Sequence, residues 1–185
     1  RAANFSLGGY ERETNPELKK RDIISFSDVT SSGTATAFSV PCMFSQLPRG
    51  EFNIDIASKT ENLLDVVQKA GYDVVWIDNN GGAREVSDRV PTVDLRNNGN
   101  PEFLNVDTHY DEVLLDGLEE RLRAIKKDTL IVLHMLGSHG PSYYKRYPKE
   151  FRVFTPTCDT AEIQNRPREE IVNTYDNSIL YTDYV

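Results

Sequence analysis

The sequence predicts an α/β fold built on a mostly parallel sheet. Two observations carry this. A helix-like segment followed by a short apolar strand occurs twice, the order that βαβ units produce. Each of those strands then runs into a polar, glycine-containing loop, and in parallel sheets ligands gather at the carboxyl ends of the strands. Three polar clusters stand at such ends: SSGTAT, DNNGGAR and GSHGPSYYK.

The elements follow in order. RDIISFSDVTSS holds a β-branched run, Ile23 to Val29, which reads as a strand delivering the chain to Thr30–Thr36. Ala35, Thr36 and Ala37 open a short helix through Phe44, and Pro41 is compatible with that helix if it lies near the first turn. In ASKTENLLDVVQKAGYDVVWIDNN, Thr60 is the expected cap. Leu63, Leu64, Val67 and Ala70 share one face, and Gly71 ends the helix. DVVWI follows as a buried strand with Trp76 in the core. DEVLLDGLEERLRAIKKD reads as a second amphipathic helix through Val113, Leu114, Leu118, Leu122 and Ile125, and TLIVLHML as a second buried strand. PREEIVNTYDNSILYTDYV has a proline-led, acidic first turn and helical spacing through Ile171, Tyr175 and Ile179.

Bulk properties narrow the function. The 185 residues suit one domain with a sizeable core. Apolar residues make up 38%, too many for a disordered chain of this charge. No apolar run reaches the length that crosses a membrane, and no secretory signal is visible. The net charge of −8 argues against a nucleic-acid partner and is compatible with holding a divalent cation. Cys42 and Cys158 form no metal-binding pattern; composition alone leaves them as free thiols or bridged to each other. Neither Arg1 nor Val185 resembles a natural terminus, so the chain is expected to be a piece of something longer.

The three loops hold the candidate chemistry. A hydroxyl at Thr36 would feel the positive end of its helix, which favours an alkoxide or an attached phosphoryl group. It needs a base or a metal to become a nucleophile, and the plain alternative is that Thr34, Thr36 or Ser39 caps the helix. Asn80 offers a donor for a phosphate oxygen and Arg84 a charge to neutralise one, although Asn-Gly is also ordinary turn chemistry. His139 stands between small residues and before Pro141, which suggests a rigid close-approach site. His134 reads as a core histidine and His109 as a solvated residue before a helix. None of the three has metal-pair spacing.

The segments GYERETNPEL, SGTATAFSVPCMFSQLPR, HMLGSHGPSYYKRYP, FRVFTPTCDT and VNTYDNS resemble the catalytic domain of lipid A phosphoethanolamine transferases, the family that includes the mobile colistin-resistance enzymes. The likeness runs over the whole chain in the same order. It implies a three-layer α/β/α fold of the alkaline-phosphatase and sulfatase type. Residues 1–185 would be part of a periplasmic catalytic domain at the inner membrane, with membrane contact through an N-terminal domain outside this chain. It implies zinc-dependent transfer of phosphoethanolamine from phosphatidylethanolamine to lipid A through a phospho-threonine. Thr36 matches both the nucleophile and a zinc-bound hydroxyl. Asn80 and His139 match residues at the substrate phosphoryl group, and Arg84 stands where the family usually has lysine, so a fork replaces a point charge. The family's other zinc ligands, a glutamate in a GET motif and an Asp-His pair, would lie before Arg1 and after Val185. The isolated chain is therefore expected to be inactive, and to self-associate through exposed edges. The family's usual disulfide partners are missing: Ser32 stands where Cys42 would find its partner, Cys158 has none near Asn165 or Arg166, and Ala83 and Ser87 replace cysteines. Two other readings remain open at this point: a phosphodiesterase-type hydrolase of the same superfamily, and a non-catalytic domain that keeps the fold. No C/S-x-P-x-R motif surrounds Thr36, which argues against a sulfate-ester hydrolase.

Overall fold

A computed structural model of the chain describes residues 10–26 and 29–185. In chain order its regular elements are α1 (Pro16–Lys19), α2 (Thr36–Phe44), α3 (Ile54–Ala57), α4 (Leu63–Lys69), β1 (Asp73–Asp78), β2 (Thr92–Asp94), α5 (Leu95–Asn98), β3 (Leu104–Asn105), β4 (Thr108–His109), α6 (Leu118–Arg123), β5 (Thr129–His134) and α7 (Arg168–Tyr184). They divide between two compact units. One comprises Thr30–Glu102 and Val113–Met135; the other comprises the described residues before Thr30, Phe103–Glu112 and Leu136–Val185.

The first unit is organised around the parallel sheet β2-β1-β5. β1 lies in register with both neighbours, Trp76 opposite Thr92 on one side and Val132 on the other. Parallel strands covered on their faces are apolar along their length, and Val74, Trp76 and Ile77 are all buried. Trp76, Leu64, Val74, Ala83, Val86 and Val90 form the core, with Val40 and Phe44 of α2 packed against it. Each fully buried aliphatic side chain here is worth about 1.5–3 kcal/mol. The helix that feeds β1 begins one cap later than expected. Asn62, not Thr60, caps α4: its Oδ1 accepts from Leu64 N at 2.8 Å, while Asn62 N donates to Asp65 at 2.7 Å. Thr60 instead donates to Ile56 O and closes α3. Gly71 does end the helix, at φ +97°.

Two expected elements form differently. Ile23–Phe26 has no regular structure and Ile24 is 87% exposed; a β-branched run becomes a strand only with a ladder partner. Ser27 and Asp28, in the same expected strand, lie outside the described residues. The helix expected over DEVLLDGLEERLRAIKKD is broken. Asp111–Leu115 is a 3-10 turn, Gly117 takes φ +66°, and only Leu118–Arg123 is α-helical. Val113 and Leu114 are buried, whereas Leu122 and Ile125 are exposed.

In the second unit, α7 follows its expected bounds, but its buried face is mainly polar: Asn173, Thr174, Asp176, Asn177 and Ser178 accompany Ile179 and Tyr181. These side chains satisfy the backbone of the preceding loops. Asn177 Oδ1 accepts from Val153 N and Phe154 N at 3.1 and 2.8 Å, and its Nδ2 donates to Phe154 O. Thr174 Oγ1 accepts from Cys158 N at 2.7 Å. Buried backbone groups need partners, and here a helix supplies them to irregular chain. His109 is buried in β4, paired with Leu104 of β3, and is not a solvated residue. Cys42 and Cys158 are both buried free thiols. Among the described residues no helix is long and apolar enough to cross a membrane.

Candidate active site

Thr36 is the first residue of α2, and the N-cap residue Ala35 supplies no side-chain cap. Phe38 N and Ser39 N both donate to Ala35 O, which leaves the N–H groups of Thr36 and Ala37 without a partner inside the helix, and together with the dipole they favour an anion at this end. The Phe38 ring packs against Gly33, where an added Cβ would stand 2.9 Å from Phe38 Cδ1. Pro41 is the sixth residue of the helix and buried, so it lies beyond the first turn and does not mark the start. Lacking an N–H, it leaves one backbone bond of the helix unmade.

The loop after β1 is organised by Asp78. Its carboxylate accepts from Asn80 N at 2.6 Å, Gly81 N at 3.0 Å, Gly82 N at 2.9 Å and Trp76 Nε1 at 3.2 Å. Gly81 and Gly82 take φ of +96° and +109°, which folds the chain back around the carboxylate. Burial pushes the Asp78 carboxyl up, but His134 and the N–H groups of Asn80 and Gly81 outweigh it and hold it down at about 2. The His134 ring stands 5.0 Å from that of Trp76, but the residue is half-buried and is not the satisfied core histidine expected. Its Nδ1 lies 3.4 Å from Asp78 Oδ2, an electrostatic contact more than a well-formed hydrogen bond. Asn80 is thereby fixed at the carboxyl edge of the sheet, and its Nδ2 donates to Met135 O just beyond β5 at 2.8 Å. An amide nitrogen has two hydrogens, so one remains for a ligand.

Arg84 is exposed and its backbone takes φ +51°, followed by Glu85 at +70°. Two consecutive non-glycine residues in the left-handed region cost about 1–3 kcal/mol each, a form of strain that clusters at functional sites. Arg84 lines a cavity of about 300 Å³ with Ala37 and Pro41 of α2. The charge of Arg84 and the helix that begins at Thr36 thus border one space in the first unit.

His139 belongs to the second unit. It is exposed and lines a separate cavity of about 540 Å³ with Tyr143 and Tyr175, whose rings meet edge to face. The chain before it is held by Asp111, and its carbonyl accepts from Arg146 Nε at 2.9 Å. Sequence reasoning missed Asp78, Asp111 and Arg146. A signal existed only for Asp78: an aspartate before two glycines is a common backbone-binding turn.

Among the described residues no three His, Cys, Asp or Glu side chains converge on one point. The described residues therefore do not by themselves make a zinc centre.

The first unit is thus an α/β domain on a parallel sheet that carries Thr36 at a helix start, Asn80 in the loop after β1 and Arg84 beside α2, and neither Thr36 nor Asn80 lines the cavity at Arg84. A family model described as Sulfatase matches residues 1–185, and the chain belongs to that family. It is 52% identical over 185 residues to phosphoethanolamine transferase EptA of Salmonella typhimurium, covering all of this chain and 34% of that protein. Among solved structures it matches the soluble domain of lipooligosaccharide phosphoethanolamine transferase A from Neisseria meningitidis. That match has a TM-score of 0.92 and 45% identity, over all of this chain and 56% of that one. It also matches the C-terminal periplasmic domain of EcEptC from Escherichia coli in complex with Zn, with a TM-score of 0.74 and 29% identity, over 97% and 52% of the two chains. The expected alkaline-phosphatase and sulfatase type of fold is borne out. The chain spans about a third of the length of the curated relative it matches.

Proposed function

We propose that this chain is part of the periplasmic catalytic domain of an inner-membrane enzyme that transfers phosphoethanolamine from phosphatidylethanolamine to lipid A through phospho-Thr36. The observation that carries the reading is the place of Thr36, a hydroxyl at the open start of a nine-residue helix. The whole-chain likeness to a phosphoethanolamine transferase supplies the transferred group.

The chemistry runs in two displacements. Thr36 Oγ1 attacks phosphorus, the bond to the glycerol oxygen breaks, and diacylglycerol leaves with the proton. A lipid A phosphate oxygen then attacks the same phosphorus, the bond to Thr36 Oγ1 breaks, and the hydroxyl takes up a proton. The α2 start stabilises charge on the phosphoryl oxygens in both steps. Asn80 donates its second amide hydrogen, Arg84 supplies positive charge, and His139 contacts the phosphoryl region. The test is peptide mass spectrometry of the full-length protein after incubation with phosphatidylethanolamine. A phosphoethanolamine adduct on the Thr36 peptide is expected; no adduct on zinc-loaded protein would sink the reading.

We assign zinc as the cofactor, with Thr36 as one ligand and the remaining ligands outside these 185 residues. The likeness to a zinc-bound domain supports the choice of metal. The 185-residue chain alone is accordingly expected to bind zinc weakly and not to turn over. Calorimetric titration checks this, and tight one-to-one binding would contradict it. The same chain is expected to self-associate, because β5 and β2 each have a strand on one side only among the described residues. Elution as a monomer across a wide concentration range would count against that.

A further inference from the structure

We propose that Asp111 and Arg146 are positioning residues that fix His139, an inference that rests on the reading of His139 as a substrate contact. The imidazole is exposed, so packing does not place it. Its backbone is nevertheless held on both sides. Asp111 is buried, and its two oxygens accept from consecutive N–H groups, Leu136 at 2.8 Å and Gly137 at 2.7 Å. Bonds to an ionised acceptor are roughly twice as strong as neutral ones. They hold the chain where Gly137 takes φ +57°. Arg146 Nε donates to the carbonyl of His139 itself at 2.9 Å. One residue later the Tyr143 phenol lies where any side chain at Gly140 would stand, 2.5 Å from the place of its Cβ.

Leu136 and Gly137 are therefore restrained by a carboxylate 25 and 26 residues away, and His139 by the guanidinium of Arg146, around a side chain that faces solvent. A loop that only reversed the chain would need neither a buried carboxylate nor a guanidinium on its backbone. An imidazole that must meet a phosphoryl oxygen does need such restraint, because a misplacement of about 1 Å costs up to ~10²-fold in rate. The two side chains act through His139 and do not touch the substrate.

The test is a double-mutant cycle on the full-length, zinc-loaded enzyme. Asp111→Asn preserves shape but sets an amide N–H against one of the two backbone donors. His139→Ala, Asp111→Asn and the double variant are compared by kcat/KM for transfer to lipid A. Asp111→Asn is expected to lower kcat/KM by about tenfold, and the double variant to be no worse than His139→Ala alone. Arg146→Met is expected to behave in the same way and Arg146→Lys to recover part of the loss, which gives a second cycle if Asp111→Asn fails to fold. Thr174→Val, which removes a buried acceptor far from this loop in sequence, serves as the stability control and should keep kcat/KM within about twofold. Effects that multiply in the double variant would overturn the inference, as would wild-type activity in Asp111→Asn, or a loss in Thr174→Val equal to that in Asp111→Asn. Wild-type activity in His139→Ala would instead remove the role of His139 itself, and the inference with it.

Discussion

Thr36→Ala is expected to abolish the phosphoethanolamine adduct and to lower transfer by at least about 10³-fold, with no loss of stability. The two halves of that expectation come from different properties of one position. Catalysis requires an oxygen at the helix start, and alanine has none. Stability does not require it, because Thr36 sits inside the first turn of α2 while Ala35 occupies the cap. Alanine is the best helix former, and the exchange is worth a few tenths of a kcal/mol in favour of the helix. A thermal melt that holds or rises while the adduct disappears would separate a lost nucleophile from a damaged fold. Thr36→Ser restores the oxygen without the methyl group and should restore the adduct. If the alanine variant still forms an adduct, peptide mapping to Thr34 or Ser39 would show which neighbouring hydroxyl carries the phosphorus.

The position of Thr36 was legible because it depends on local signals: glycine, small residues, then an apolar helical run. β1 was legible for a similar reason, since a strand buried on both faces is a short apolar run; β5 carries the same apolar run, but its residues are half-buried and Leu133 is exposed, so it is a strand without being the buried one expected. Residues 111–128 misled because the apolar spacing there is helical, and one glycine in the left-handed region outweighs it. Val113 and Leu114 still find the core, but from a 3-10 turn. α7 was placed correctly for an incomplete reason. Its apolar spacing is real, yet Asn173, Thr174 and Asn177 hold the irregular chain from Val153 to Cys158 by bonding its backbone. Such bonds leave no pattern in a sequence, because the partner is a peptide group that every residue has. Asp111 was hidden in the same way: its partners are N–H groups 25 and 26 residues further on.

Asp78→Ala is expected to cost roughly 3 kcal/mol of stability and to weaken transfer through Asn80. The carboxylate is the single acceptor that gathers three successive backbone N–H groups and the indole of Trp76. Without it the indole N–H stays buried and unpaired, while the Gly81–Gly82 turn opens and Asn80 loses its fixed place at the sheet edge. Asp78→Asn keeps the shape and part of the bonding, so its loss should be smaller. The charge is tested separately by pH. The folded-state pKa of Asp78, about 2, lies below the ordinary value of 3.8, so on acidification the unfolded chain takes up the proton first. The stabilisation is complete above about pH 4 and is lost as pH falls from there towards 2. A depression of nearly two units corresponds to roughly 2 kcal/mol. The stability difference between wild type and Asp78→Asn, measured by urea unfolding, should therefore shrink as pH falls below 4. Other acidic residues titrate in both proteins and cancel in that difference. A gap that stays constant down to pH 2 would mean that the loop is held by the shape of the side chain at position 78 and not by its charge.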